Sequence, residues 1–129
     1  MTVEVKRLEG EAIIVVTWQG EMEPEKIKAV SAEVDRLIGE DESGVVRIDD
    51  MSNASFNFSS AVLGLGEARS KKPGYPRDPR LKNIIVGNKD NPLMSLVTKA
   101  AGQDQYGHLR IPLYFSLEEA LEAIRRGEV

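Results

Sequence analysis

Ala12-Ile13-Ile14-Val15-Val16-Thr17-Trp18 decides the fold. The run is continuously apolar and rich in β-branched residues, which is what a strand covered on both faces requires. Upstream, Val3 and Val5 alternate with polar neighbours between Thr2 and Lys6, the period-two pattern of an edge strand with one wet face. The connection around Glu9-Gly10-Glu11 is too short for a crossover, so these two strands pair antiparallel.

Downstream, Pro24 opens a helix behind Glu21, Glu23 and Glu25. Ile27, Val30, Val34, Leu37 and Ile38 fall on one of its faces, and Gly39 closes it. Val45 to Ile48 reads as a short strand ending at Asp49-Asp50, with a turn through Met51-Ser52-Asn53. Ser59 or Ser60 caps a helix from Ala61 to about Ser70. The three prolines between residues 70 and 80 impose a loop. Ile84-Ile85-Val86 is a buried strand, and Asn91-Pro92 starts a helix that Gly102 ends. Arg110 to Phe115 forms a last strand near the sheet edge, because Pro112 lacks a ladder donor, and Ser116-Leu117-Glu118-Glu119 is a capping box for a final helix. The order β-β-α-β-α-β-α-β-α specifies an α/β fold, one domain over residues 1–129. Its sheet is mixed but mostly parallel, with about five strands flanked by helices.

The 129 residues, 41% of them hydrophobic, suffice for one packed core without staples. With 17 Lys+Arg against 21 Asp+Glu the net charge is -4, which gives the whole molecule no electrostatic pull toward nucleic acid. The absence of Cys removes thiol catalysis and thiolate metal sites. The first residues lack the apolar centre of a signal peptide and no later run reaches membrane-spanning length, so the chain reads as cytoplasmic.

No motif carries enzyme chemistry. Asn88-Lys89-Asp90 lacks the spacing of a guanine-reading element, and there is no phosphate-cradling loop. Gly64-Leu65-Gly66 lies inside a helix, where small residues serve close helix packing. Asp49-Asp50 reads as turn carboxylates capping amides rather than a magnesium or phosphoryl site. His108, the sole histidine, has no nucleophile elbow to serve and reads as a loop residue. The expectation is a non-enzyme with no metal and no cofactor. Arg69, Lys71, Lys72, Arg77, Arg80 and Lys82 face one acid, Asp78, in an otherwise acidic chain. The candidate anion-binding loop is therefore Lys71, Lys72, Arg77 and Arg80, for an anionic lipid or an acidic partner; the bland alternative is a solvated loop.

Val46-Arg47-Ile48-Asp49-Asp50-Met51-Ser52 leading into Phe56-Asn57-Phe58-Ser59-Ser60-Ala61-Val62-Leu63-Gly64-Leu65, with the tail Ile111 to Leu121, resembles the STAS or SpoIIAA-like superfamily, including its bacterial STAS/SEC14-type subgroup. The resemblance implies a SpoIIAA-like fold and a non-enzymatic bacterial regulatory module of the anti-sigma factor antagonist kind. It also implies a kinase or anti-sigma-like protein partner, and a serine turn open to phosphorylation, Ser60 matching the modified position. Phe58 stands where the family has Asp, and Ala61 where it has Gly. The candidate turn comprises Asp49, Asn57, Phe58, Ser59 and Ser60; a capping role worth about 1 kcal/mol is the alternative for the serines. A second reading is a carrier or sensor in which Phe56, Phe58, Val62, Leu65 and Met94 line a cleft for a lipid-like or other small apolar ligand. Monomer and dimer are both compatible with the sequence.

Overall fold

The computed structural model describes residues 2–40, 44–55, 57–68, 70–103 and 110–129. Strand β1 (Thr2–Arg7) pairs antiparallel with β2 (Ile13–Glu21), Val5 opposite Val16. Parallel pairing then carries β2 to β3 (Val45–Ser55), β3 to β4 (Leu81–Val86) and β4 to β5 (Leu113–Tyr114), in the spatial order β1-β2-β3-β4-β5. The helices are α1 (Pro24–Ile38), α2 (Phe58–Ala68), α3 (Pro92–Ala101) and α4 (Leu117–Arg125). This is the mixed, mostly parallel sheet expected from the element order.

The alternation of β2 explains the layering. Ile14, Val16 and Trp18 point to one face, where they meet Ile27, Val30, Val34 and Ile38 of α1 and Met94 of α3. Ile13 and Val15 point to the other, where Ile48, Ile84 and Val86 pack with Ala120 of α4. Each fully buried aliphatic contributes about 1.5–3 kcal/mol, so the α1 stripe alone outweighs the helix's weak intrinsic stability.

Three local expectations are corrected. Strand β3 does not end at Asp49-Asp50 but runs to Ser55. The nine residues of β2 are long enough to pair with Asn53, Ala54 and Ser55 after a register shift between Thr17 and Gln19, and Asp50 Oδ1 accepts from the Ser52 amide at 3.1 Å within the strand. Helix α2 starts at Phe58 rather than Ala61, because Asn57 supplies the cap: its Oδ1 accepts from the Ser60 amide at 3.0 Å. The last strand shrinks to Leu113–Tyr114; Pro112 has no amide, although its carbonyl still accepts from Ile85 at 3.0 Å.

Two glycines in different settings make a sharp contrast. Gly74, at φ 82°, has its α-carbon so close to the backbone of Ser31 in α1 that a Cβ would drive into the Ser31 carbonyl. Gly66, by contrast, lies in α2 and a Cβ there meets nothing within 4 Å. The substitutions Gly74→Ala and Gly66→Ala are therefore expected to act with opposite sign. The first should destabilise by more than about 2 kcal/mol, and the second should stabilise by about 0.5–1 kcal/mol. Urea unfolding of the two variants measures both.

Candidate functional site

The turn into α2 is built around Asn57. Its side-chain oxygen accepts from the Ser60 amide and also from Ser60 Oγ at 3.2 Å, while Ser60 Oγ lies 3.4 Å from the Ser55 carbonyl. Ser60 is consequently buried, at 6% exposure, whereas Ser59 in the same first turn is exposed. The matching of Ser60 to the modified position thus places the modification on the inaccessible serine of the pair. Neither hydroxyl caps the helix; Asn57 does. Phe58 is 74% exposed and Val62, one helical turn on, 56% exposed, so the two lie together on the outer side of α2. No acidic residue stands in the first turn to repel an anion from its free amides.

Beneath α2 the sheet carries charge. Arg47 points to the same face as Val45 and Met51, and its guanidinium is held by Asp49 through Nε at 3.0 Å and Nη2 at 2.9 Å, and by the Gly74 carbonyl at 2.8 Å. Asp49 Oδ1 also accepts from Trp18 Nε1 at 3.0 Å. The Asp49 carboxylate is therefore a structural partner inside the strand and not a turn ligand. Losing either half of such a buried pair leaves an uncompensated charge, a loss of about 3–5 kcal/mol.

The basic loop divides into two parts. Lys71 and Lys72 are exposed and Arg77 half-buried. Arg80, by contrast, is engaged by Asp78 and by Asp35 of α1 at 2.7 Å. Asp78 is buried and also accepts the amides of Gly74 at 2.8 Å and Arg80 at 3.0 Å. A solvated cluster of four cations thus reduces to Lys71, Lys72 and the partly covered Arg77, with Arg80 acting as a latch between loop and α1. Arg69, Phe56 and His108 lie outside the described residues.

The apolar residues expected to line one cleft do not converge. Phe58 and Val62 face outward, Met94 is in the core, and Leu65 borders a cavity beneath α2. Gly64 and Gly66 do not serve close packing, since a Cβ at either meets nothing within 4 Å. Among the described residues no group of three or more His, Asp or Glu could hold a metal ion, and no helix is long and apolar enough to cross a membrane. Sequence reasoning passed over Arg47, Ser31 and Asn83. The available signal for Arg47 and Asp49 was their i, i+2 spacing, which puts opposite charges side by side on the face of the strand that also carries Val45 and Met51.

No protein-family model matches the chain, and no curated protein matches it in sequence. Solved structures do match. The chain is similar to an anti-sigma factor antagonist from Mycobacterium paratuberculosis, at 21% identity and TM-score 0.57, covering 96% of this chain and 93% of that one. It is similar to the anti-sigma factor antagonist SpoIIAA in its unphosphorylated form, at 22% identity and TM-score 0.59, covering 98% of each. An uncharacterised Shewanella loihica protein with a SpoIIAA-like fold matches at 13% identity and TM-score 0.57, over 94% of this chain and 90% of that one. The fold is SpoIIAA-like.

The Arg80 guanidinium, followed by the Gly74 and Arg80 amides, holds the Asp78 carboxyl well below the usual carboxylate range, down to about 2 from 3.8. A depressed carboxylate stabilises the folded state above its unfolded value, and the contribution fades as pH falls from about 4 through about 2. Asp78→Asn is expected to lower stability by about 2 kcal/mol at neutral pH, with the gap to the native protein narrowing below pH 4. Urea midpoints across pH 2 to 7 check this; a gap that stays constant with pH rejects the linkage.

Proposed function

We propose that the protein is a non-enzymatic regulatory module that docks a partner protein on the outer side of α2, with Ser59 as the phosphorylation switch. The observation that carries this reading is the pairing of exposed Phe58 and Val62 beside exposed Ser59 in the first turn of a capped helix. A phenyl ring 74% exposed on a small domain is an anchor in search of a pocket.

The fold neighbours support the direction. Two are anti-sigma factor antagonists, and one of them is described in an unphosphorylated form, which implies a phosphorylated counterpart. Phosphate on Ser59 would lie against the free amides of the first turn, where the helix dipole favours an anion. It would also place about two negative charges beside Phe58, in the middle of the docking surface. Docking and phosphorylation would then exclude one another by the cost of burying that charge. The partner is accordingly an anti-sigma-like protein or its kinase.

Two measurements test the reading. Incubation with ATP and an anti-sigma factor kinase of the same genome, followed by mass spectrometry, should give phosphate on Ser59 and none on Ser60. Calorimetric titration with that kinase should show affinity falling about 30-fold, or about 2 kcal/mol, in the Phe58→Ala/Val62→Ala double variant, with an unchanged Tm because both side chains are exposed. Equal affinity of the double variant and the native protein would reject the docking surface; modification confined to Ser60 would reject the switch.

A further inference from the structure

The two edges of the sheet differ. On one side β5 is two residues long and follows Pro112, so it offers another chain almost no ladder to extend. On the other side β1 runs for six residues with no proline and no register shift against β2. Shortness, proline, bulges and charge are the usual guards of an edge. Strand β1 carries only charge, and in both signs, as Glu4 and Lys6.

Hydrogen-bond parity fixes which groups of β1 face outward. The Leu8 amide donates to the Ile13 carbonyl at 2.9 Å, one step beyond the Arg7–Ile14 pair. The alternation of an antiparallel ladder then turns the backbone groups of Lys6, Glu4 and Thr2 toward β2. The amides and carbonyls of Val3 and Val5 therefore point away from the sheet, and among the described residues nothing pairs with them. Their side chains are half-buried against the core on the α1 side, whereas Glu4 and Lys6 are exposed on the other face.

The charges select how such an edge meets a copy of itself. Antiparallel self-pairing centred on Glu4 sets Glu4 against Glu4, and pairing centred on Lys6 sets Lys6 against Lys6; like charges directly opposite are unfavourable. Centred on Val5, the two Val5 residues exchange amide–carbonyl bonds, and Glu4 of each copy falls opposite Lys6 of the other. That position is a non-hydrogen-bonded pair, the kind in which side chains approach more closely. Val3 then meets Arg7, whose guanidinium donates to the Leu37 carbonyl at 2.7 Å, so the stem rather than the charge lies toward the valine.

We propose that the outer edge of β1 is a self-association surface, on which two copies of the chain pair their β1 strands antiparallel about a two-fold axis through Val5. The surface is isologous, so one Glu–Lys complement is used twice. Strand β1 packs with β2 and α1 while α2 packs chiefly with α3, so self-pairing and partner docking use different elements.

Sedimentation equilibrium of the full chain from about 10 μM to about 1 mM in low salt is the test. The native protein should self-associate with Kd on the order of 100 μM, the weakness of a small edge contact, and more weakly as salt rises to about 0.5 M. Glu4→Lys sets like charges opposite one another at both ends of the pairing, as does Lys6→Glu, and each variant alone should associate about tenfold more weakly. Their equimolar mixture restores opposite signs at both ends and should form a mixed dimer at least as tight as the native one. The double exchange Glu4→Lys/Lys6→Glu keeps the complement and should match the native protein within about threefold. Both side chains are exposed, so Tm should stay close to native throughout. The proposal is overturned by a chain that remains monomeric at about 1 mM, by single variants that associate like the native protein, or by a mixture no tighter than its components. Loss of association in the double exchange overturns it equally.

Discussion

The ion pair of the Arg47 guanidinium is the interaction on which the sheet face covered by α1 and α3 depends. An unpaired charge cannot remain there, so each partner of Arg47 is held in turn by another group. Asp49 is fixed by Trp18 of β2, and Gly74 is fixed by Asp78, whose carboxylate holds Arg80, which reaches Asp35 on α1. A single chain of polar contacts thus crosses β2, β3, the 70–80 loop and α1. Gly74 is the joint. Its carbonyl accepts from Arg47, its amide donates to Asp78, and its missing side chain lets the loop lie against the Ser31 backbone. The three-proline segment is therefore a tied wall of the core rather than a free excursion.

The fold was legible because its signals are periodic. The unbroken apolar run of β2 and the three-and-four spacing of Ile27, Val30, Val34 and Ile38 each require burial of one defined face, and tertiary contacts satisfied that requirement without altering it. Boundaries were less legible where pairing decided them. Nothing local tells Asp49-Asp50 to continue as strand; the length of β2 does so from the neighbouring position in the sheet. The start of α2 moved by three residues because Asn57 outcompeted the two serines as cap, and three capping residues within four positions offer no local means of choosing among them.

The site was legible only in part, for a different reason. Ser59 and Ser60 are adjacent in sequence and chemically identical, yet the first turn of a helix places one outward and one inward, and a shift in the helix start exchanges them. Exposure of Phe58 depends on the same shift. The unpartnered oxygens of Ser31 and Asn83 left no trace at all in the sequence, since a serine on a helix and an asparagine in a strand are ordinary until their surroundings withhold a partner.

These constraints set α2 apart from α1 and α4. The opposite face of the sheet is sealed by α4 through Ala120, and α1 is both packed and latched through Asp35. Helix α2 has two interior glycines, each weakening it by about 0.5–1 kcal/mol. Neither glycine is required by a close approach, so the weakening is not a consequence of packing. Its outer side bears the exposed Phe58 and Val62, and its Leu65 borders the cavity. A helix weakened by its own composition resists a change of position chiefly through the packing that it makes, so an interaction of about a few kcal/mol is enough to bias it.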